Sequence, residues 1–270
     1  MSFSNSQLTL IFACFFAISA YSCNKDVMNN FSHHRPVIVA HRGGASLGME
    51  NSLSCIEKGI AAGADMIEID LHLTADGHIV VCHDRSVNRT TNGKGKIANM
   101  TLDEIQQLRL LDKDGNPSNE TLPTLEQTLE LCKDRCRMLI EIKKKKDEYV
   151  GIEALADSLV KQYGMQEQVV FQSFNDDVLV KLHQIDPQLR IEKLLFSLKG
   201  NLLFDGTFTS FSEEKYDFVS SFNVYYGFAS RRFIRRIHEL GKEVKVWTIN
   251  KPSQVPENID GIITNRPDLF

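Results

Sequence analysis

The sequence has little that would divide it into separate domains or span a bilayer. Its 270 residues include 7 prolines and 16 glycines, and no Gly/Ser/Pro-rich stretch forms a linker, so one large domain is expected. Positive charge is not in excess: 31 Lys and Arg against 35 Asp and Glu give a net charge of −4, which argues against general nucleic-acid affinity. No Cys-x-x-Cys occurs, which removes the common zinc patterns. Cys14 and Cys23 lie near the N-terminus, and Cys55, Cys82, Cys132 and Cys136 lack the spacing of a disulfide framework. Buried free thiols are expected, a Cys132–Cys136 bridge being the other option. No G-x-G-x-x-G follows the first apolar run of the fold, which weakens a dinucleotide-binding reading.

Leu8 to Ala20 is almost wholly apolar, yet falls short of the roughly 20 residues that span a bilayer. Its length fits the hydrophobic region of a secretory signal. Ser19-Ala20-Tyr21-Ser22-Cys23 resembles the lipobox of bacterial lipoproteins, although Ala20 stands where Leu is usual and no Lys or Arg precedes Lys25. The expected organisation is a lipoprotein-type signal peptide over 1–23, a short linker over 24–35, and the fold over 36–270. The protein is then exported to the periplasm or cell surface and anchored through a lipidated Cys23. A secreted soluble form, an uncleaved anchor and a buried cytosolic segment are the competing readings.

From Pro36 onward, short apolar runs alternate with amphipathic stretches. Strand patterns fall at Val37–Ala40, Met66–Leu71, Met138–Ile142, Val169–Phe171, Ile191–Phe196, Phe218–Ser221, Val244–Ile249 and Gly261–Thr264. Helical patterns fall at Asn51–Ala62, Thr124–Cys132, Ile152–Tyr163, Asp176–Ile185 and Ser230–Leu240. Eight βα-type units in about 235 residues predict an α/β fold, a closed (β/α)8 TIM barrel. Ile79–Cys82 follows Leu73 through a turn too tight for a parallel crossover, so it doubles back as a hairpin after strand 2. A small helical insertion follows, opened by the Thr101-x-x-Glu104 capping box. Asp112 to Pro117 reads as a solvated turn, since the other positions of a calcium loop are absent.

His41-Arg42-Gly43-Gly44, Glu68-Ile69-Asp70 and His83-Asp84 fall within 44 residues, and Glu141-Ile142-Lys143 comes about seventy residues after Glu68-Ile69-Asp70. An i, i+2 pair in a strand points both side chains to one side, so Glu68 and Asp70 converge. Buried like charges repel unless a cation lies between them. Each feature alone has a plain explanation: a strand Glu-x-Asp is usually a solvent-facing edge, a lone histidine is usually structural, and Lys143 to Lys146 reads as a solvated run with only Lys143 placed for a site. Together, at the C-terminal ends of barrel strands, they predict metal-assisted phosphodiester chemistry.

These residues, with Glu50-Asn51, Arg89-Thr90-Thr91-Asn92-Gly93, Leu122-Pro123-Thr124-Leu125, Gln172-Ser173-Phe174, Val246-Trp247-Thr248-Ile249-Asn250 and Asp260-Gly261-Ile262-Ile263-Thr264, resemble the glycerophosphodiester phosphodiesterases over residues 36 to 270. The resemblance implies a (β/α)8 barrel that hydrolyses glycerophosphodiesters, as small-molecule substrates, to sn-glycerol 3-phosphate and an alcohol. It implies one divalent cation, Ca²⁺ or Mg²⁺, on Glu68, Asp70 and Glu141, and an acid–base pair of His41 and His83. Arg42 and Lys143 would hold the phosphate, Trp247 would pack at the substrate, and Glu50 would lie near the metal in a supporting role. No protein partner is implied. Ser52 departs from the usual Thr, and Pro252 and Pro256 discourage the helix the family commonly places before the last strand. The alternatives are a related barrel phospholipase, of phospholipase D or phosphoinositide type, acting on intact lipid, and a catalytically inactive binding barrel.

Overall fold

A computed structural model describes residues 35–145, 148–196 and 213–270. Residues 1–34 lie outside the described residues, and with them the expected signal segment, Cys23 and all of the 24–35 linker but Arg35. Lys146 lies outside them too. Among the described residues no helix is long and apolar enough to cross a membrane. The compact unit runs from Pro36 to Phe270.

Eight parallel strands close into a barrel: β1 (Val37–Ala40), β2 (Met66–Leu73), β4 (Arg137–Ile142), β5 (Val169–Ser173), β6 (Ile191–Leu195), β7 (Ser221–Tyr225), β8 (Glu243–Trp247) and β9 (Gly261–Thr264). Closure comes from β1, which pairs with β9 (Val37 opposite Gly261) and with β2 (Val39 opposite Met66). The expected hairpin is β3 (Ile79–Val81), antiparallel to β2 with Leu71 opposite Val81. Helices cover the outside: α1 (Leu53–Ala61), α3 (Leu125–Cys132), α4 (Ile152–Gln162), α5 (Asp176–Ile185) and α6 (Arg231–Glu239). The insertion after β3 carries α2 (Leu102–Gln106), capped by the predicted Thr101–Glu104 box. It has its own apolar cluster of Val80, Cys82, Val87, Ile97, Ile105, Leu110 and Leu122. A second capping box, Thr124 with Gln127, opens α3 and was equally readable from its Thr-x-x-Gln spacing.

Strand β2 shows how alternation sorts side chains. Ile67, Ile69 and Leu71 face out into the main core with residues of the helices, and Glu68 and Asp70 take the opposite face. Three expectations are corrected. Strand β7 lies at 221–225, not 218–221, because it alternates polar Ser221 and Asn223 with apolar Phe222 and Val224. The apolar Phe218 and Val219 belong to the turn before it, where the Val219 N–H donates to the Tyr216 carbonyl at 3.0 Å. Strand β8 ends at Trp247 rather than Ile249. Lys144 is not part of a solvated run: its ammonium donates to the buried Glu153 of α4 at 2.7 Å. Between β8 and β9 only a 3-10 turn, Pro252–Gln254, occurs, as the two prolines predict. Cys55, Cys82 and Cys132 are buried free thiols, and Cys136, also free, is half-buried. Asp112 folds the expected turn by accepting from the N–H groups of Asp114 (2.9 Å) and Asn116 (2.8 Å).

Candidate active site

Strand pairing brings the carboxylates together. Asp70 on β2 sits directly opposite Glu141 on β4, and Glu68 lies two residues back on the same face as Asp70. One oxygen from each of Glu68, Asp70 and Glu141 lies within 4.8 Å of the others. All three residues are buried. Burial, then the charges of Asp70 and Glu141, push the Glu68 carboxyl well above the ordinary range. Burial also raises Glu141, to about 7, against the pull of Lys143. Asp70 is held well below its usual value: burial opposes this, but Lys143, His83 and Arg42 outweigh it. Three buried carboxylates face two cations, since the Lys143 ammonium is 3.2 Å from Asp70 and 2.9 Å from Glu141, while the Arg42 Nε is 3.7 Å from Asp70. The set is all oxygen and within the span that opposite ligands of one hard cation cover, at about 2.0–2.6 Å per bond. A divalent cation fits these residues.

The turn after β1 is shaped for the same centre. Arg42 has a left-handed backbone (φ 51°), which aims its N–H at Glu68, donating at 2.8 Å. Gly43 follows at φ 79°, and a Cβ there would meet the Ile56 backbone nitrogen and Cγ1 of α1 at 3.0 Å. Asn51, also left-handed (φ 61°), donates its amide to Asp70 at 2.9 Å. Asn tolerates that backbone better than most residues.

The two histidines are each held through Nδ1. His41 donates to the Asn265 side-chain oxygen at 2.7 Å, and Asn265 is placed in turn by its N–H donating to Asn250 at 2.9 Å. An amide oxygen only accepts, so His41 carries its proton on Nδ1 and leaves Nε2 as an acceptor. Burial first, and Arg42 second, lower His41 to about 4. His83 pairs through Nδ1 with Asp84 at 2.8 Å. Burial lowers His83 too, aided by Lys143 and Arg42 and opposed by Asp70 and Asp84. Arg89 donates to both Asp84 (2.7 Å) and Glu50 (2.8 Å), and Arg42 donates to Glu50 at 3.1 Å. Hydrogen bonding to Arg89 takes Asp84 down to about 2. Glu50 therefore stands outside the carboxylate group, tied to it through Arg42.

A cavity of about 210 Å³ is lined by His41, Arg42, Glu68, His83, Glu141 and Lys143 at its charged side and by Phe174, Leu194 and Trp247 at its apolar side. Trp247 donates its indole N–H to the Asn223 carbonyl at 2.9 Å and meets the Phe174 ring edge-on at 5.6 Å. A larger cavity, about 660 Å³, is lined in part by Glu50 and Arg89 and contains neither His41 nor His83 and none of Glu68, Asp70 and Glu141. Of the residues given site roles from sequence, His41, Arg42, Glu68, His83, Glu141, Lys143 and Trp247 line the smaller one, and Glu50 and the fully buried Asp70 do not.

Asn265, Asn51, Arg89 and His72 form a supporting set that sequence reasoning assigned no role. His72, buried in β2, accepts from the Tyr149 hydroxyl (2.9 Å) and donates to the His83 carbonyl (3.1 Å), fixing the backbone at His83. Below the site the barrel interior is polar. Glu68 accepts from Gln172 (3.3 Å), Gln172 from Asn223 (2.8 Å), and Glu192 accepts from both Asn223 (2.7 Å) and Lys245 (2.6 Å). Gly261 makes room for this chain, since a Cβ there would meet Lys245 Cγ at 2.8 Å.

The comparisons agree with this geometry. The profile of the glycerophosphoryl diester phosphodiesterase family matches residues 41–269. A glycerophosphodiester phosphodiesterase of Caldanaerobacter subterraneus is 32% identical over 242 residues, covering 87% of this chain and 96% of that protein. The crystal structure of a glycerophosphodiester phosphodiesterase from Agrobacterium tumefaciens superposes with TM-score 0.71 at 26% identity, covering 87% of this chain and 99% of that one. An Oleispira antarctica phosphodiesterase, solved in complex with the product sn-glycerol-3-phosphate, shares the fold with TM-score 0.74 at 24% identity, covering 86% and 94%. The chain belongs to the glycerophosphoryl diester phosphodiesterase family, and its chemistry is the metal-dependent hydrolysis of glycerophosphodiesters.

Proposed function

We propose that this site releases sn-glycerol 3-phosphate and an alcohol by acid–base catalysis from His41 and His83, with the phosphate gripped by Arg42 and Lys143. The observation that carries the assignment is that both imidazoles line one cavity, and both spend Nδ1 on a fixed partner, which leaves each Nε2 for the substrate. One imidazole takes a proton from the attacking oxygen and the other gives one to the leaving oxygen, the ordinary division of labour for a general acid–base pair. Glu68, Asp70 and Glu141 hold one divalent cation, Ca²⁺ or Mg²⁺, which suits an all-carboxylate set and supplies polarisation of a phosphoryl oxygen. Arg42 and Lys143 set positive charge where negative charge develops. Trp247 packs its ring against the substrate's carbon skeleton. The gathering of both histidines and all three carboxylates disfavours an inactive binding barrel.

Glycerol 3-phosphate release from glycerophosphocholine and glycerophosphoethanolamine tests the reading, with EDTA and then with Ca²⁺ or Mg²⁺ restored. Release that EDTA stops and metal restores supports it. Cleavage of intact phospholipid alone would overturn it.

The protein is proposed to be exported and anchored through a lipidated Cys23, on the strength of the apolar run at Leu8 to Ala20 and the small residues before the cysteine. Incorporation of labelled fatty acid in cells, lost in Cys23→Ser, checks this. An unlabelled chain retaining residues 1–22 would refute it.

A further inference from the structure

Residues beyond the cavity form a second surface with its own chemistry. After β7 the chain runs Tyr226-Gly227-Phe228 in a 3-10 turn and enters α6 through Ser230, which accepts from the Phe233 N–H at 3.2 Å. A turn that follows a parallel strand lies at the end of the barrel where the cavity opens. Helix α6 buries Phe233, Ile234 and Ile237, and that spacing leaves Arg231, Arg232, Arg235 and Arg236 exposed. Four arginines within six residues form a concentrated positive patch on a chain whose net charge is −4. Two of these arginines have weak acidic partners: Arg231 meets Glu257 at 3.0 Å with both side chains largely in water, and Arg235 meets Glu239 at 3.9 Å.

Aromatic side chains lead from the cavity wall to the turn that enters α6. Trp247, on the cavity wall, meets the Tyr225 ring at 5.4 Å, and Tyr225 meets Tyr226 at 4.5 Å and Phe228 at 6.3 Å. Tyr226 is 43% exposed and Phe228 37% exposed. Tyrosine and phenylalanine beside arginine match the layered chemistry of a bilayer surface, with rings seated among the headgroups and guanidinium groups on lipid phosphates.

We propose that the rim formed by Tyr226, Phe228 and the four arginines docks on an anionic phospholipid bilayer, turning the cavity mouth toward the membrane. Charge complementarity selects the occupant: each arginine in contact strengthens binding to an anionic surface about fivefold. The inference is independent of the roles assigned to the cavity residues and of the fate of Cys23.

The test uses the full chain with phosphatidylglycerol vesicles and phosphatidylcholine vesicles. Sedimentation is read alongside quenching of Trp247, the single tryptophan, by brominated acyl chains. The apolar N-terminal run meets both vesicle types alike, so the difference between them is the readout. At least tenfold tighter binding to the anionic vesicles is expected, and it is lost in about 0.5 M salt, where exposed charges are screened within a few ångströms. The variant Arg231→Gln, Arg232→Gln, Arg235→Gln, Arg236→Gln should lose the preference, and Tyr226→Ser, Phe228→Ser should weaken binding to both vesicles. Turnover of soluble glycerophosphocholine stays unchanged in each, which also shows that the variants fold. Should the quadruple change unfold the chain, Arg232→Gln alone should cost a few-fold in the preference. Equal binding to both vesicles, or an anionic preference that survives the arginine changes, would overturn the proposal. So would arginine-dependent capture of single-stranded RNA by a chain that ignores vesicles.

Discussion

His41 and His83 meet the same cavity but are held by different chemistry. A neutral amide, Asn265, accepts from His41, and a carboxylate locked by Arg89 faces His83. His41→Ala and His83→Ala should each lower turnover by about 10²-fold or more, the usual worth of general acid–base catalysis. Steady-state rates with glycerophosphocholine check this, and near-normal rates in both variants would remove the two residues from the mechanism. Asn265→Leu removes the acceptor that sets the His41 tautomer. Turnover should fall about ten- to a hundredfold, as when a metal-bound imidazole loses the partner that fixes its tautomer, with little change in KM. If KM rises while kcat holds, Asn265 shapes binding rather than proton transfer. At this scale the sequence was legible where a residue type is chemically rare in its setting: Glu68, Asp70 and Glu141 are carboxylates inside strands. Asn265 and Asn51 were not, because an asparagine carries no charge and gains meaning only from the atom it faces, 224 residues away for His41.

Helix α5 shows how an element is pinned by buried charge. Its first residue, Asp176, takes ion pairs from Lys193 and Lys215, both at 2.7 Å, and a hydrogen bond from the Tyr216 hydroxyl at 2.9 Å. Burial works against ionisation, but Lys193 and these hydrogen bonds bring Asp176 from the ordinary 3.8 down to about 2. A carboxylate lowered on folding adds stability that is complete above its unfolded value and disappears as pH falls through the folded one. The window is therefore about pH 4 down to pH 2, and the contribution is about 2 kcal/mol. Asp176→Asn should flatten that part of the stability–pH curve, as urea unfolding at a series of pH values would show; an unchanged slope would assign the acid sensitivity elsewhere. Strand β7 illustrates the limit of sequence reading for elements. Its inward Ser221 and Asn223 dilute the apolar signal that marked the other strands, because this side of the barrel buries a polar chain. Lys245→Met should cost about 3–5 kcal/mol by leaving Glu192 buried without its cation. Pairing it with Glu192→Leu should recover part of the loss, and a double variant less stable than either single one would refute the coupling.

At the scale of the whole molecule, strand pairing makes the carboxylate group, since Glu68 and Asp70 reach Glu141 only when β2 and β4 lie in register. Binding of Ca²⁺ or Mg²⁺ should raise thermal stability by mass action, about 2.7 kcal/mol at a hundred times Kd. Glu68→Ala with Glu141→Ala should abolish that rise, as differential scanning calorimetry would show; a rise that persists would move the cation elsewhere. By itself the sequence determined the alternation of strands and helices, the hairpin after β2 and the acidic, basic and imidazole groups of the cavity. Periodicity and charge inside apolar runs are local properties, and each is written within a few residues. Tertiary structure alone decided which neutral side chains set those groups. It placed Glu50 between two arginines, sent Lys144 to Glu153 and ran a polar chain from Glu68 to Lys245. Those choices follow from distance and burial between residues far apart in the chain, and neither quantity exists until the barrel has closed.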